Sequence, residues 1–341
     1  MKTICICGGG SLGHVIAGWL AAKGKARVNI LTGRPGLWQP CIDIHTPDGN
    51  TLHGKLGKVS SHAAEVIPDS DIVLLCLPGY LISSELEAIR PHLAADTLVG
   101  GVFSSTGFFF EAHRILPSSQ PLWGFQRVPF IARVAEYGSS ANLLGFKDSL
   151  SVAIENVSDT AQSSMVSWLN DAFECPIHLL GHYLEASLTN SNPLLHTSRL
   201  YTLFGGDNEG KAYDRMIYFY EEWTDEAADM LIRMDEEFFR LLGALPVSEG
   251  FLPTILDYYE SHDAQSLAAK LRSIKGFKGI TSPMVSTSEG WMPDFGSRYF
   301  TEDFPHGLKY IWLLAHEHGI DVPNIDRVYA WGMDKLNKGG R

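Results

Sequence analysis

The stretch ICICGGGSLG, residues 4–13, decides the fold. A short apolar run that begins at Lys2 stops at Cys7, three glycines follow, and residues 11–23 then carry a helical pattern. In the order strand, G-x-G-x-x-G, helix, the three spaced glycines have separate tasks. Gly8 permits a tight turn off the strand, Gly10 leaves room for a pyrophosphate to approach the backbone, and Gly13 lets the helix lie close to the strand. The helix start at Ser11 and Leu12 offers the phosphates main-chain N–H groups that have no intrahelical acceptor. The expectation is a dinucleotide site lined by Gly8, Gly10, Ser11, Leu12 and Gly13; the plain alternative is a glycine-rich turn that binds nothing.

Outward from this loop, apolar runs alternate with helical patterns. Residues 27–32, 71–77 (DIVLLCL) and 97–103 read as buried strands, and residues 81–90 as a helix between the last two. Continuous apolar strands separated by helices indicate a parallel sheet covered on both faces. Further strands are expected at 121–125, 142–146 and 149–154, with Lys147-Asp148 as a hairpin turn between the last two. From about residue 183 the period changes to that of helices, expected over 184–204, 211–243, 251–259, 263–274 and 304–318; Met230, Met234, Phe238 and Leu241 recur at three and four residues. The fold class is therefore a Rossmann-type, doubly wound α/β domain over residues 1–182, followed by an all-α helical domain over 183–341.

The end of the second strand sorts the cofactor. NAD-binding folds place a carboxylate about 20 residues after the glycine loop, to hold the ribose 2′-hydroxyl. Here the segment reads Leu31-Thr32-Gly33-Arg34, and no Asp or Glu occurs before Asp43. Thr32 and Arg34 are expected at the ribose, where a guanidinium would pair with a 2′-phosphate. This favours NADP over NAD, against the alternative of an ordinary exposed loop arginine. Pro78 and Gly79 close the 71–77 strand, where open α/β sheets gather ligands, and are expected along the cofactor path; both would serve equally as a plain turn.

Composition narrows the partners. The 341 residues carry a net charge of −12 and are 45% apolar. An acidic chain lacks the basic face that nucleic acid or an anionic membrane surface requires. No apolar run is long enough to span a bilayer, and MKTICICGGG lacks the longer apolar core of a signal peptide, so a cytoplasmic location is expected. The five cysteines show no zinc spacing and are read as reduced and structural. His316 and His318 lie two apart, about 200° apart around a helix, and do not converge on a metal.

The segment LTNSNPLLHTSRL, residues 188–200, is unusual for a helix. Asn192 and His196 are four apart, hence on one face, and Pro193 either kinks the helix or opens it with Asn192 as its cap. A structural histidine is the bland reading. With the glycine loop GGGSLG, the pattern N-x-N-P-x-x-H (Asn190, Asn192, Pro193, His196) and the segment RYFTEDFPHGL…GIDVPNID (residues 298–308 and 319–326), the chain resembles the opine dehydrogenase family, which includes octopine and nopaline dehydrogenases. The resemblance in order and domain plan covers nearly the whole chain.

That resemblance implies a Rossmann domain and a helical domain with catalysis between them. It implies His196 as general acid/base, Asp303 as its carboxylate partner and Arg298 as a substrate-binding arginine. It implies condensation of an amino acid's amine with a 2-oxo acid and reduction of the resulting imine by the nicotinamide. Asn192 is then expected beside the substrate, and Gln126, in WGFQRVPF, against the 2-oxo acid. A histidine suits proton transfer near neutral pH, a carboxylate fixes its tautomer, and no metal is required, because the hydride comes from the cofactor. The family's marine-animal members use NAD, so Arg34 puts cofactor choice in doubt. The expected partners are a small-molecule amino acid and a 2-oxo acid, with homodimerisation left open.

Two other readings stand beside this one. A reductase of a small oxo acid or ketone, similar to ketopantoate reductase or glycerol-3-phosphate dehydrogenase, would favour a catalytic lysine, and none occurs between Lys147 and Lys211. A non-catalytic NADP(H)-binding regulator would keep the glycine loop and have no use for His196, Arg298 and Asp303 together.

Overall fold

The computed structural model describes residues 1–339 and divides the chain into two compact units, the first Met1–Ser187 and the second beginning at Leu188. In the first unit, β1 (Lys2–Cys7), β2 (Ala26–Leu31), β3 (Cys41–His45), β4 (Thr51–Lys55), β5 (Val59–Ser60), β6 (Ile72–Leu75), β7 (Leu98–Gly101), β8 (Leu122–Phe125), β9 (Phe130–Glu136), β10 (Ser140–Phe146), β11 (Leu150–Glu155) and β12 (Ile177–Leu179) form two sheets. The main sheet has the order β12-β11-β8-β7-β6-β1-β2-β5. The six strands from β8 to β5 are parallel, and their order is that of a dinucleotide-binding fold. The order of connection reverses between β1 and β6. The helix Ser11–Ala22 leaves β1 at this point, and the helix Gly79–Ile89 follows β6.

The central strands are buried on both faces. Ile4 and Ile6 point into one core with Ile16, Leu74 and Trp123; Cys5 and Cys7 point into the other with Val73, Leu75 and Phe108. The spacing of Cys5 and Cys7 thus puts both on one face of β1, and all five cysteines are free thiols.

A second sheet, β4-β3-β10-β9, covers the helix Ser11–Ala22. Gly18 of that helix and Gly54 of β4 meet so closely that a Cβ on Gly54 would sit 2.6 Å from the Gly18 carbonyl oxygen. The expected hairpin at Lys147-Asp148 does not form. β10 pairs with β9 and β3, whereas β11 pairs with β8 and β12, so Lys147-Asp148 carries the chain from one sheet to the other. The short helix Tyr183–Ser187, expected in the second domain, belongs to the first unit. Ala186 is buried in the core that holds Phe108 and Phe109, and the Gln126 side chain donates to the Glu185 carbonyl at 3.3 Å.

The second unit is helical apart from one hairpin, β13 (Met284–Thr287) with β14 (Gly290–Pro293). Its main helices are Asn192–Phe204, Asp225–Leu242, Ala264–Ser273, Lys309–Glu317 and Pro323–Gly339. The Thr224 hydroxyl caps Asp225–Leu242 by accepting from the Ala227 N–H, and Leu231, Met234, Phe238 and Leu241 form its buried stripe. The helix expected over 211–243 therefore starts only at Asp225. Residues 211–223 run irregularly, pinned by main-chain pairing of Tyr213 with Trp291 and of Tyr218 with Thr281. Among the described residues, no helix is long and apolar enough to cross a membrane.

Candidate functional site

The first unit carries a phosphate-shaped loop. Gly8 has φ +117°, a conformation that suits glycine, and a Cβ there would lie 2.6 Å from the Cys76 carbonyl oxygen. A side chain at Gly13 would strike the Gly8 carbonyl oxygen. Gly10, in contrast, has no heavy atom within 4 Å of where a Cβ would be. One glycine thus makes the turn, one makes the helix–strand contact, and one leaves open space in front of the helix Ser11–Ala22. Pro78 caps the helix Gly79–Ile89 in extended conformation, and Cys76 N–H donates to the Cys7 carbonyl at 2.8 Å, so Pro78 and Gly79 flank the same strand ends. The arrangement fits a dinucleotide pyrophosphate.

Three residues around this loop have no signal in the sequence. His14 is fully buried; its Nε2 accepts from Gly138 N–H at 2.8 Å, which leaves Nδ1 to donate to the Gly10 carbonyl at 2.9 Å. Burial holds the imidazole below the usual histidine range, with the Gly10 bond opposing. The Trp38 ring stacks on it at 4.3 Å. The Tyr137 hydroxyl lies 3.2 Å from Thr32 Oγ1 and occupies the space that a side chain at Gly9 would need. The turn between β9 and β10 is therefore tied to the glycine loop from above. The sequence shows Tyr137 and Gly138 only as turn residues, because their place depends on the second sheet.

Arg34 is exposed, with its guanidinium 5.8 Å over the Tyr137 ring, and among the described residues no carboxylate pairs with it. Thr32 Oγ1 accepts from Arg34 N–H at 3.4 Å. Asp43, the first carboxylate after the glycine loop, lies in the second sheet and is bonded to His53 at 2.7 Å. Ser11 accepts from Val134 N–H at 3.2 Å, one more tie between the helix start and β9.

The second unit brings together side chains 107 residues apart. His196 Nδ1 is 2.8 Å from Asp303 Oδ2, with both side chains mostly but not wholly buried, at 12% and 15% exposure. A carboxylate accepts only, so Nδ1 carries the hydrogen and the neutral ring presents Nε2 as an acceptor. Nε2 is 2.9 Å from the Tyr220 hydroxyl, which donates to it. The Tyr299 and Phe219 rings pack on the imidazole at 4.7 and 5.6 Å. Burial, aided by Tyr299, Tyr259 and Asp303, raises the Tyr220 phenol far above the usual tyrosine range, so it remains a neutral donor.

Pro193 explains how this pair forms. The helix begins at Asn192, with Pro193 at its second position, and Ser191 rather than Asn192 is the cap. The cap differs from the expectation because the Asn190 side chain accepts from Asn192 N–H at 3.2 Å, a local turn that takes over the capping role. Pro193 then packs on Gly307, where an added Cβ would sit 2.7 Å from the ring. Gly307 belongs to the wide helical turn Phe304–Leu308 that follows Asp303. The proline thus docks the start of the histidine helix onto the segment that carries the carboxylate.

Arg298 opens the short helix Arg298–Thr301, one turn before Asp303, and is exposed. Asn192 lies one turn before His196 and is half-buried. Gln126 belongs to the first unit, directly after β8, and its side-chain amide donates to the Glu185 carbonyl. His316 is bonded to Asp326 at 2.8 Å, and no cluster of three metal-ligating groups occurs among the described residues.

Two family descriptions match. The α-helical domain of NAD/NADP octopine/nopaline dehydrogenase matches residues 179–336, and ketopantoate reductase PanE/ApbA matches residues 4–101. The tauropine dehydrogenase of Arabella iricolor is 27% identical over 99% of this chain and 92% of its own length. The octopine dehydrogenase of Mizuhopecten yessoensis is 27% identical over 98% and 90%. Among solved structures, octopine dehydrogenase with NADH and L-arginine superposes with a TM-score of 0.83 at 24% identity, over 99% of this chain and 90% of that one. Yersinopine dehydrogenase with NADP+ has a TM-score of 0.72 at 15% identity, over 99% and 91%. At these identities the structural likeness speaks for the fold.

Proposed function

Because the chain belongs to the opine dehydrogenase family, we propose that it condenses the amine of an amino acid with a 2-oxo acid and reduces the imine with NADPH, using His196 as general acid/base. It is a nicotinamide-dependent oxidoreductase acting on CH–NH donors. The observation that carries the residue assignment is the 2.8 Å bond between His196 Nδ1 and Asp303.

The residues have distinct tasks. Gly8, Gly10 and Gly13, with the N–H groups of Ser11 and Leu12, receive the pyrophosphate. Thr32 and Arg34 receive the adenosine ribose, where Arg34 favours a 2′-phosphate and the absence of a nearby carboxylate removes what would repel it. Pro78 and Gly79 border the cofactor path. Asp303 holds the imidazole in one tautomer and offsets its charge when it is protonated. His196 gives a proton as the carbinolamine loses water and takes one back in the reverse direction. Arg298 binds a substrate carboxylate through its planar fork, Asn192 borders the same substrate, and Gln126 faces the 2-oxo acid. The nicotinamide, when bound, supplies the hydride.

The test is a matrix of amino acids against pyruvate, 2-oxoglutarate and glyoxylate, followed by loss of NADPH and NADH absorbance. A pair-dependent loss is expected, at least about tenfold faster with NADPH, a ratio worth about 1.4 kcal/mol at the ribose site. Equal rates would remove the role given to Arg34. The ketopantoate reductase match over residues 4–101 favours a second reading, reduction of an oxo acid with no amine, and the amine-free wells report it. His196→Ala should lose turnover by about a hundred- to ten-thousandfold and still bind NADPH. A protein that binds NADPH and turns over in no well would be a regulator.

A further inference from the structure

We propose that Tyr220 carries the proton between His196 and the substrate, so that the general acid/base is an Asp303–His196–Tyr220 chain rather than a pair; this rests on the condensation reading above. Both imidazole nitrogens are engaged. Nδ1 donates to Asp303 at 2.8 Å and Nε2 accepts from the Tyr220 hydroxyl at 2.9 Å. The carboxylate end is an acceptor that stabilises the ring, which leaves the phenol as the outlet for a proton.

The alternative is that the phenol swings away and a substrate takes its place on Nε2. The packing opposes this. The Tyr220 ring stacks on Phe277 with centroids 4.0 Å apart and planes at 18°, and it lies nearly parallel to Trp223 at 5.9 Å. The main chain on both sides is held by a buried arginine three residues past the histidine. Arg199 Nε donates to the Phe219 carbonyl at 3.2 Å, and its terminal nitrogen donates to the Glu222 carbonyl at 2.6 Å. Arg199 is 1% exposed, and burial, opposed by Glu222, lowers its guanidinium to about 10. It is a positioning residue, because burying a charge to bond two carbonyls of an irregular segment sets where Tyr220 stands. The same helix thus presents His196 and fixes the loop that supplies its partner.

The step balances without another reactant. In the condensing direction His196 starts as the imidazolium. As the carbinolamine C–O bond breaks, its nitrogen lone pair forms C=N, and the departing hydroxyl takes the Tyr220 proton to leave as water. The Tyr220 oxygen takes the Nε2 proton in the same event, so no free phenolate forms and His196 ends neutral. The reverse sequence activates water for attack on the imine.

Tyr220→Phe removes one oxygen and keeps the ring packing. The expected result is a fall in kcat of about a hundredfold or more, with KM for both substrates within about threefold and NADPH binding unchanged. Unchanged kcat, or a rise in kcat as the obstruction is removed, overturns the proposal. Site-specific replacement of Tyr220 by 3-fluorotyrosine, which is more acidic, keeps the test open if the phenylalanine variant does not fold. The dependence of kcat on pH should then differ from the wild type, and identical profiles overturn the relay. A wild-type protein that turns over no amine and oxo-acid pair is a failure of the condensation reading, distinct from a failure of Tyr220.

Discussion

At the scale of single residues, Gly307 and Arg34 are the two positions that test the proposed chemistry most directly. Gly307 has no side chain where Pro193 arrives, and that vacancy lets the His196 helix reach the segment of Asp303. In Gly307→Ala the methyl group would lie 2.7 Å from the proline ring, so one segment must retreat. A displacement of about 1 Å at a proton-transfer pair is worth up to about a hundredfold, and kcat should fall about ten- to a hundredfold with NADPH affinity intact. Parallel kinetics and cofactor titration check this, and an unaffected kcat would show that the contact does not set the pair. Arg34 is the second case. Exposed and, among the described residues, without a carboxylate partner, it costs little to replace structurally. Arg34→Ala should weaken NADPH by about tenfold or more and leave NADH nearly unchanged, in keeping with a charge-assisted pair worth about 1.5–3 kcal/mol. Equal losses for both cofactors would assign Arg34 a role other than the 2′-phosphate.

At the scale of elements, the β9–β10 turn is a clasp on the glycine loop. His14 is bonded at both nitrogens, to Gly10 within its own helix and to Gly138 in the turn. This geometry requires the neutral ring, and burial lowers its titration accordingly. The stability it contributes is therefore present above the ordinary histidine range, near 6.5, and is lost as pH falls through the lowered folded value. NADPH affinity should weaken on the acid side of that range, and His14→Ala should weaken it at all pH values by about tenfold, as expected for one buried bond of about 1–3 kcal/mol. Fluorescence titration of NADPH between pH 5 and 8, at roughly the interval in which histidines change charge, reads both. An affinity that is flat with pH in the wild type would detach His14 from the cofactor site.

The elements also show where periodicity misleads. Residues 211–223 are expected as the front of a long helix, yet they run irregularly. Arg199 takes two of their carbonyls, and Trp291 of β14 and the segment around Thr281 supply main-chain partners. Partners far away in the chain outcompeted the local helix, and local spacing carries no trace of them.

At the scale of the whole molecule, the chain forms two compact units, and the proposed function gives each its own share of the reaction. A ligand that binds one unit should stabilise that unit. At a hundredfold excess over its Kd, NADPH should add about 2.7 kcal/mol to the unfolding free energy of residues 1–187. Gly10→Val is the informative control. Gly10 has ordinary backbone angles, with φ −83°, and open space around its Cβ position, so valine is accommodated while filling the ground proposed for the pyrophosphate. Calorimetry with and without NADPH should give a shift for the wild type and none for Gly10→Val. An equal shift in both would place the cofactor elsewhere. The net charge of −12 adds a constraint at this scale: anionic substrates and cofactor phosphates meet a repelling molecule, so local cations such as Arg34 and Arg298 matter more.

Taken alone, the chain's residues determined the strand–loop–helix of the glycine motif and the α/β-then-helical order, and singled out His196 as the residue on which the proposed chemistry turns. Each rests on local spacing: glycines two and three apart, apolar runs of strand length, Asn192 and His196 on one helix face. Tertiary structure alone decided that Lys147-Asp148 crosses between sheets, that the helix Tyr183–Ser187 sides with the first unit, that Tyr137 and His14 are bonded around the glycine loop, and that Tyr220 is bonded to His196. Those placements depend on strand pairing and buried hydrogen bonds between segments up to 124 residues apart, and the partner of a distant donor is chosen by packing, which no short window of sequence contains.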